Sequence, residues 1–296
     1  KKMALRGKTV FITGASRGIG AAIATKFASL GANIAVAAKT SQPHPKLPGT
    51  IHTTCSEVEK LGGKALPLVV DVRKETDVQS AVDETVKKFG GIDIVINNAS
   101  AIMLTGTEAT PMRSYDLMHQ VNGRGTFLTT KCCAPHLLKS AQNGNNPHVL
   151  NISPPLDMQA KWFKNNCAYT AAKYNMSMFA LGMSAEFKDD GIRVNCLWPR
   201  TAVATAAINM LMGQKGMSVS RKPEIMADAA AIIVQSNETG QFFIDDALLL
   251  KNGFSVEQIN DYAVTPGATL APDFFLDDVE PWLASLQKGQ IPKAKL

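Results

Sequence analysis

The chain has 296 residues, a formal net charge of +6, and 45% hydrophobic residues. This length allows one large α/β domain with a substantial core. No apolar run is long enough to span a bilayer, and no dense Lys/Arg block with interleaved aromatic residues indicates a nucleic-acid site. The modest positive charge would suit an anionic ligand such as a nucleotide, although a surface with a slight basic bias explains it equally well.

The first predicted element is a buried strand over residues 10–13, which leads into a glycine-rich turn and then a helix. Gly14, Gly18 and Gly20 punctuate the turn. Glycine permits positive φ and close approach of a ligand, and a helix N-terminus offers free N–H groups to a phosphate. The stretch therefore predicts a pyrophosphate-binding turn. The alternative is a plain connection between two buried elements.

A second apolar strand over residues 33–38 ends at Lys39, where dinucleotide-binding folds often place an acidic residue for the adenosine ribose. No acidic side chain occurs between Lys39 and Glu57. Arg17 lies inside the glycine turn, so two cations are available to a 2′-phosphate, which favours NADP(H) over NAD(H). If both cations are simply solvated, the preference stays open.

Strands and helices alternate along the rest of the chain. Residues 41–53 hold three prolines and a glycine, so we predict an irregular insert there, before a helix over 55–61. Further strands are predicted over 65–70, 92–96, 148–153, 191–197 and 241–244, with helices between them. This alternation implies a parallel sheet covered on both faces. The fold class is therefore a three-layer, doubly wound α/β domain.

Four motifs follow one another along the chain, and together they resemble those of the short-chain dehydrogenase/reductase family. They are Thr-Gly-x-x-x-Gly-x-Gly (13–20), Asp71-Val72, Asn97-Asn98-Ala99-Ser100 and Tyr169-Thr-Ala-Ala-Lys173. The resemblance covers residues 8–246. It implies a Rossmann fold, a nicotinamide cofactor and hydride transfer. We expect one NADP-binding domain over residues 1–250, followed by an extended C-terminal tail over 251–296.

The resemblance also implies which residues contact the cofactor. Asp71 and Val72 would touch the adenine ring, and residues 199–205 would wrap the nicotinamide amide. The full expected set is Gly14, Ser16, Arg17, Gly18, Ile19, Gly20, Lys39, Asp71, Val72, Asn98, Ala99, Tyr169, Lys173, Pro199, Thr201 and Val203. Asn97 contacts the cofactor or only caps a strand end. Arg200 and Asp246 stand where the family usually has glycine.

Tyr169 and Lys173 are four residues apart, so on a helix they share one face. Reduction of a ketone needs a proton donor at the carbonyl oxygen, and a free tyrosine is weakly acidic near neutral pH. An adjacent ammonium is expected to lower the pKa of the phenol. Tyr169 would be the general acid in reduction and the base in oxidation. Lys173 would lower the pKa of Tyr169 and bind the nicotinamide ribose.

Two further catalytic positions are implied. The family's second serine, which hydrogen-bonds the substrate carbonyl, is replaced by Pro154, so Ser153 is the nearest hydroxyl. Neighbouring residues on a strand face opposite ways, and Ser153 reaches the carbonyl only if the chain bends at the prolines. Asn122 matches the position that holds a water in a kinked helix. A structural, fully hydrogen-bonded Asn122 is the alternative.

An apolar substrate pocket is expected. Met158, Trp162 and Phe163 lie in the long loop before Tyr169, and residues 206–217 are rich in methionine around a Gly-x-x-Gly break. Methionine adapts to varied apolar shapes, so 206–217 is interpreted as a mobile lid or, alternatively, an ordinary core helix. Fatty acyl or steroid carbonyls are plausible substrates.

The five cysteines are odd in number and lack Cys-x-x-Cys spacing, which indicates reduced intracellular thiols and no metal site. No secretory signal opens the chain. The last residues, Ala294-Lys295-Leu296, are similar to a peroxisomal address, with cytoplasmic or mitochondrial location as alternatives.

These features predict an NADP(H)-dependent oxidoreductase that acts on the carbonyl/alcohol group of an apolar, lipid-derived small molecule. The resemblance implies a homo-oligomer, and no nucleic-acid partner or membrane span is expected. The competing hypothesis is an NADP(H)-binding protein with little turnover that acts as a sensor or assembly subunit.

Overall fold

The computed structural model describes residues 4–45 and 47–290. A single parallel sheet has seven strands in the order β3-β2-β1-β4-β5-β6-β7. The strands are β1 (Thr9–Thr13), β2 (Asn33–Ala38), β3 (Lys64–Val69), β4 (Ile94–Asn97), β5 (His148–Ile152), β6 (Arg193–Trp198) and β7 (Phe242–Ile244). The strand order reverses between β1 and β4, and ligands bind at such a switch point in open parallel sheets.

Helices cover both faces of the sheet. They are α1 (Gly18–Ser29), α2 (Ile51–Lys60), α3 (Glu75–Phe89), α4 (Met112–Met118), α5 (Gly125–Gln142), α6 (Ala160–Phe163), α7 (Cys167–Glu186), α8 (Ala206–Ser218), α9 (Glu224–Ile233), α10 (Asp245–Lys251), α11 (Val256–Asn260) and α12 (Val279–Gln287). A π-helical segment, His119–Arg124, joins α4 to α5.

Alternation along β1 divides the core into two layers. Val10 and Ile12 pack in one apolar cluster, with α1 and α9, while Phe11 packs in the other, with α3 and α5. All three side chains are fully buried. Successive residues of a strand point to opposite faces, so a strand buried on both sides reads as a continuous apolar run. The predicted three-layer, doubly wound fold is confirmed.

The insert after β2 is shorter than predicted. Helix α2 begins at Ile51, inside the segment expected to be irregular. Thr50 caps the helix: its hydroxyl accepts from the Thr53 N–H at 3.1 Å, and the Thr53 hydroxyl accepts from the Thr50 N–H at 2.7 Å. This reciprocal capping box satisfies two N–H groups and starts the helix four residues earlier than its apolar pattern indicated.

The segment predicted as an extended tail is partly helical and packs on the domain. It contains α11 and α12, and Trp282 and Leu286 of α12 are 4% and 2% exposed within the core cluster of α1 and α9. Burial of two large side chains stabilises this docking by several kcal/mol, at about 25 cal/mol per Å² of apolar surface. Residues 294–296 lie outside the described residues.

Within residues 4–45 and 47–290, no helix is both long enough and apolar enough to cross a bilayer. The described part of the chain also contains no group of three or more His, Cys, Asp or Glu side chains arranged to hold a metal ion. Four of the five cysteines are buried, and Cys167 is exposed.

Candidate active site

The glycine turn packs against the end of β4. Gly14 has a φ of +66°, and a Cβ added there would lie 2.9 Å from the Ala99 Cα, so no larger residue fits. A Cβ on Gly20 would lie 2.5 Å from the Asn98 side-chain nitrogen. That amide donates to the Thr13 and Gly14 carbonyls, each at 3.0 Å. Two separately predicted motifs therefore form one rigid unit.

The N-terminus of α1 has the properties of an anion site. Its N-cap, Arg17, makes no side-chain capping bond, and its first turn carries no acidic residue. Free N–H groups and the positive end of the helix dipole favour a phosphate here. Ser16 and Ile19 lie in the same turn. Gly18 faces the Thr205 methyl, which lies 3.2 Å from the position of an added Cβ. The segment expected to wrap the nicotinamide therefore reaches the glycine turn.

Arg17 contacts the proline-rich insert. Its Nε and Nη2 donate to the Pro48 and Gly49 carbonyls, each at 2.9 Å. Gly49 has a φ of +93°, and an added Cβ would lie 2.4 Å from the Ser16 carbonyl oxygen. The insert therefore lies directly beside the glycine turn. The alternative in which Arg17 is only solvated does not describe the structure.

Lys39 belongs to a charge cluster at the end of β3. Its Nζ lies 3.4 Å from the Asp71 carboxylate. Arg73 donates hydrogen bonds to the same carboxylate from Nε at 2.9 Å and from Nη2 at 2.6 Å. The Arg73 hydrogen bonds hold the pKa of Asp71 well below its usual range. A second carboxylate lies beside this cluster, because Asp77 Oδ2 accepts from the Asp71 N–H at 3.2 Å. Arg73 was missed in the sequence because an arginine after Asp71-Val72 carries no pattern of its own.

Val72, the other predicted adenine contact, packs against α5. It is 8% exposed, and a Cβ added to Gly125 would lie 2.9 Å from its Cγ2. The Asn97 Nδ2 donates to the Thr130 hydroxyl at 3.0 Å and the Asn151 side chain at 2.9 Å, and its Oδ1 has no partner among the described residues. The structural alternative for Asn97 is therefore supported.

Tyr169 and Lys173 lie one turn apart on α7, and both are buried, with 6% and 2% exposure. The Lys173 Nζ donates to the Ile152 carbonyl, 2.7 Å away, where β5 ends. The same nitrogen lies 5.1 Å from the centre of the Trp198 indole ring. Helical spacing thus brings both predicted catalytic side chains to the carboxyl edge of the sheet.

The protonation of this pair differs from the sequence expectation. Burial raises the pKa of Tyr169 above its usual range, and the Asp273 carboxylate adds to the rise. Burial lowers the pKa of Lys173 to about 7, against the opposing effect of Asp273. The expected lowering of the Tyr169 pKa is absent because lost hydration and the Asp273 charge both disfavour the phenolate. At neutral pH Tyr169 keeps its proton.

Ser153 is fully buried just beyond the end of β5, and its hydroxyl donates to the Cys196 Sγ on β6 at 3.2 Å. The Pro154 carbonyl accepts from the Ser177 hydroxyl at 2.6 Å, which fixes the following backbone to α7. The catalytic role of Ser153 stays a prediction.

Asn122 lies in the π-helical segment, as the expected helix kink requires. Its side chain is already paired with one peptide: the Ala101 N–H donates to Oδ1 at 2.8 Å, and Nδ2 donates to the Ala101 carbonyl at 3.0 Å. These contacts match the structural alternative. The predicted water-holding role is not tested by them.

An aromatic cluster surrounds Tyr169. Its buried members are Met118, Tyr169, Ala172, Tyr174, Trp198 and Phe275. Trp162 and Phe163 pack against it as predicted, whereas Met158 is 68% exposed and lies outside it. The Phe275 ring centre lies 5.3 Å from that of Tyr174 and 5.7 Å from that of Trp198. The surroundings of Tyr169 are therefore largely apolar, and the second phenol of the cluster, Tyr174, donates to the Asp157 carbonyl at 2.6 Å.

Helix α8 is not an ordinary core helix. Met210 and Met212 are 67% and 47% exposed, and Gly213 breaks the helix with φ +63° and ψ −158°. Gly216 is its one buried residue. An apolar, broken and exposed helix matches the alternative of a lid.

Arg200 and Asp246, which stand where the family usually has glycine, contact each other. Arg200 Nε lies 2.8 Å from the Asp246 carboxylate, and Arg221 Nη1 reaches the other oxygen of that carboxylate, also at 2.8 Å. Arg200 also pairs with Asp278 at 2.6 Å and stacks on Trp282, with 3.8 Å from Cζ to the ring centre. Substitution of both glycines thus creates a buried anchor for the C-terminal segment.

That segment lies alongside the predicted nicotinamide loop. The Ala202 N–H donates to the Ala271 carbonyl at 2.9 Å, and the Asp273 N–H donates to the Arg200 carbonyl at 3.0 Å. Between them Thr201 is fully buried, and its hydroxyl has no partner among the described residues. A buried hydroxyl without a partner is costly, and a ligand group at this predicted cofactor contact would satisfy it. Pro199 and Val203 flank it, and Val203 is 3% exposed.

Comparison with known proteins agrees with this geometry. The family described as "short chain dehydrogenase" matches residues 8–214. Hydroxysteroid dehydrogenase-like protein 2 from Danio rerio is 58% identical over 275 residues, which are 92% of this chain and 65% of that protein. The protein of the same name from Homo sapiens is 56% identical over 276 residues, 93% of this chain and 64% of that protein.

A solved structure, a putative dehydrogenase from Xanthomonas campestris, superposes with a TM-score of 0.87 at 50% identity. The superposition spans 92% of the present chain and 99% of the Xanthomonas campestris chain. The present chain spans about two thirds of the curated relatives named above. Solved structures that share the fold were determined with either NADP or NAD.

Proposed function

The chain belongs to the short-chain dehydrogenase/reductase family, an oxidoreductase family that uses nicotinamide cofactors, and from this premise we propose a specific activity. The protein transfers a hydride between NADP(H) and the carbonyl/alcohol group of an apolar, lipid-derived small molecule. The observation that carries the proposal is the buried Tyr169–Lys173 pair at the end of β5.

The predicted cofactor residues fit a dinucleotide. The rigid glycine turn and the uncapped α1 N-terminus suit a pyrophosphate, and the Thr201 hydroxyl is a buried polar atom without a protein partner. Residues of the turn, Asn98, Ala99 and the 199–203 segment would hold the group. When bound, the nicotinamide supplies the hydride.

Tyr169 supplies the proton. Its raised pKa keeps the phenol protonated at neutral pH, which is the form that donates to a carbonyl oxygen as negative charge develops there. In the opposite direction the phenolate would accept the alcohol proton. Lys173, with a pKa of about 7, carries a positive charge for about half the time at neutrality and stabilises that phenolate. The surrounding aromatic cluster excludes water and strengthens both effects.

The preference for NADP(H) rests on charge. Lys39 and Arg73 meet at the Asp71 carboxylate, with the Asp77 carboxylate beside it, and Arg17 lies in the glycine turn. These cations could pair with a 2′-phosphate, whereas the sequence has no acidic side chain between Lys39 and Glu57 to accept the ribose hydroxyls of NAD.

The proposal of an apolar substrate rests on the side chains that surround Tyr169. The aromatic cluster and the methionine-bearing helix α8 offer apolar contact, with Tyr169 as the polar group that orients a carbonyl. A homo-oligomer is supported by exposed apolar side chains on α5 and α7: Phe127, Met178 and Leu181 are 46%, 49% and 51% exposed. Peroxisomal location through Ala294-Lys295-Leu296 stays a prediction.

One observation favours a second candidate, an NADP(H)-binding protein with little turnover. The Ser153 hydroxyl donates to Cys196, and Pro154 stands at the family's serine position. Loss of one donor to a developing oxyanion costs on the order of a hundredfold to a thousandfold in rate.

The test follows consumption of NADPH and NADH with aliphatic, acyl-coenzyme A and steroid ketones. We expect turnover that prefers NADPH and is lost in Tyr169→Phe. The matched control is Tyr262→Phe, which removes a phenol bonded to Asp228 away from the site and keeps turnover. Tight NADPH binding by calorimetry with no turnover of any ketone would contradict the enzyme and support the binding protein.

A further inference from the structure

A short strap, residues 47–50, links the glycine turn to the chain that leaves β2. Its C-terminal side is tied beside β2, because the Ile51 N–H donates to the Thr40 carbonyl at 2.9 Å, one residue beyond Lys39. Thr50 is 4% exposed and caps α2 through its hydroxyl. The strap therefore starts from a fixed position next to Lys39.

The strap packs directly on the glycine turn through Gly49. A Cβ added to Gly49 would lie 2.4 Å from the Ser16 carbonyl oxygen and 3.2 Å from the Arg17 Cβ. A side chain at this position must therefore displace either the strap or the turn. The turn is the more rigid of the two, because Gly14 and Gly20 are themselves packed against the end of β4. A larger residue at position 49 would thus lift the strap away from Arg17.

Arg17 holds the strap through one edge of its guanidinium. Nε and Nη2 form that edge, and they donate to the Pro48 and Gly49 carbonyls, each at 2.9 Å. A guanidinium carries five N–H donors in a fixed planar fork, so the edge formed by Nη1 and Nη2 is left over. In the part of the chain that the structure describes, Nη1 has no hydrogen-bond partner and no carboxylate pairs with Arg17.

The charge of Arg17 is therefore not balanced by a described carboxylate. The side chain is half-buried, and burial lowers the pKa of its guanidinium. Carbonyl oxygens accept its hydrogen bonds but carry no net charge, so an anion at the remaining edge would stabilise the cation. The planar fork of arginine matches the oxygens of a phosphate, which it binds through two parallel hydrogen bonds.

We propose that the strap is a specificity element that holds Arg17 in position for the 2′-phosphate of NADP(H), with Gly49 as its positioning residue. Dinucleotide folds bind the adenosine ribose at the end of the second strand, which is where the strap is tied beside Lys39. The strap thus sets the spacing between the two cations. This inference rests on the proposed function for the identity of the cofactor.

The experiment measures binding of NADPH and NADH to the full chain by calorimetry, so it needs no substrate. The two cofactors differ only in the 2′-phosphate. Gly49→Ala is expected to weaken NADPH binding by about tenfold, equivalent to the loss of one hydrogen bond to a charged group, and to change NADH affinity by less than about twofold. Adenosine 2′,5′-bisphosphate, which carries the 2′-phosphate without the nicotinamide, should lose affinity as NADPH does.

Gly62→Ala is the matched control. Gly62 also has a positive φ, +80°, but a Cβ added there meets nothing within 4 Å. The variant therefore carries similar backbone strain without contact to the turn, and it should keep both affinities. Urea denaturation of the two glycine variants shows that each is folded.

Arg17→Lys tests the same contact from the other side. An ammonium keeps the charge but lacks the planar fork that bonds two carbonyls and a phosphate together. The variant should narrow the ratio of NADPH to NADH affinity, as Gly49→Ala does. In the ligand-free chain, hydrogen exchange at the Thr50 and Ile51 amides should become faster in both variants.

An unchanged affinity ratio in both variants, or a parallel loss of NADPH and NADH affinity, would overturn the inference even where the wild type prefers NADPH. Equal binding of the two cofactors by the wild type would contradict the proposed cofactor and the role of the strap together. A narrowed ratio in a chain that reduces no ketone would support the inference and contradict the proposed hydride transfer.

Discussion

The Ser153 hydroxyl donates to the Cys196 thiol across the β5–β6 pair, with 3.2 Å between Oγ and Sγ. This contact turns the Ser153 hydroxyl toward the neighbouring strand, while the other hydroxyl at this position, that of Ser177, donates to the Pro154 carbonyl. Burial raises the pKa of Cys196 to about 12, so the acceptor is a neutral thiol. A neutral thiol is a weak acceptor. The Ser153 hydroxyl is bonded to this thiol and is therefore not directed at a substrate.

We therefore expect Ser153→Ala to change ketone turnover little while lowering the free energy of unfolding by about 1 kcal/mol, the net value of one buried hydrogen bond. Steady-state rates and urea denaturation measure the two effects. Ser184→Ala removes a similar serine hydroxyl, bonded to the Leu181 carbonyl, and is the control. A loss of rate on the order of a hundredfold would instead assign Ser153 the role of a carbonyl donor.

Arg200→Met should destabilise the protein and release its C-terminal segment. The guanidinium is 3% exposed and Asp246 is fully buried, so the variant leaves a buried carboxylate with fewer partners. Removal of one partner of a buried pair costs about 3–5 kcal/mol. Urea denaturation measures this loss, and limited proteolysis should show cleavage within residues 265–290.

The control for that variant is Lys60→Met, which breaks the exposed pair with Glu57 and should cost about 0–1 kcal/mol. Equal stability of the two variants would show that the buried anchor contributes nothing specific.

Thr201→Val separates cofactor binding from stability. The Thr201 hydroxyl has no partner in the described part of the chain, so its removal should leave stability unchanged or slightly higher. NADPH binding should weaken by about tenfold if that hydroxyl bonds the nicotinamide amide, equivalent to one hydrogen bond. Calorimetry measures the NADPH affinity of the wild type and of Thr201→Val.

Thr129→Val is the matched control, because Thr129 is equally buried with an equally unpaired hydroxyl on α5. It should bind NADPH like the wild type. Equal affinity in Thr201→Val would remove Thr201 from the proposed site.

Lys173→Met should raise stability at neutral pH while abolishing turnover. Burial lowers the Lys173 pKa from 10.5 to about 7, so between these values the unfolded chain binds more protons than the folded chain. The free energy of unfolding of the wild type therefore rises with pH across that window. At pH 7 the buried amine still lowers it. A methionine of similar length carries no such cost.

We expect a gain of about 1–3 kcal/mol at pH 7 and a flatter stability profile from pH 7 to pH 8.5. Urea denaturation at several pH values measures both. A steep rise with pH that persists in Lys173→Met would assign the dependence to another group.

Local patterns in the sequence were sufficient to predict the fold. The glycine turn and the alternating apolar runs predict β1 and the elements after it, because burial on both faces of a parallel sheet leaves a continuous apolar signal. The start of α2 was missed, since Thr50 and Thr53 form a capping box with threonine in place of the usual Glu or Gln. Tyr169 and Lys173 were found through helical spacing within a family motif.

The C-terminal half of the site could not be predicted in this way. Phe275 joins the cluster around Tyr169 only through pairing between segments about seventy residues apart, and no local pattern specifies such contacts. A signal was nevertheless present. Arg200 and Asp246 both replaced a family glycine with a charged residue, and two opposite charges that appear together are what a buried pair requires.

Transfer of deuterium from C4-deuterated NADPH to a ketone tests the central claim most directly. With the wild-type chain, we expect the alcohol product to gain one deuterium at the carbonyl carbon, as detected by mass spectrometry. Tyr169→Phe should bind NADPH and form no labelled alcohol, because the phenol that donates the proton is gone. Equal labelling by both proteins, or by neither across the ketone panel, would contradict the account.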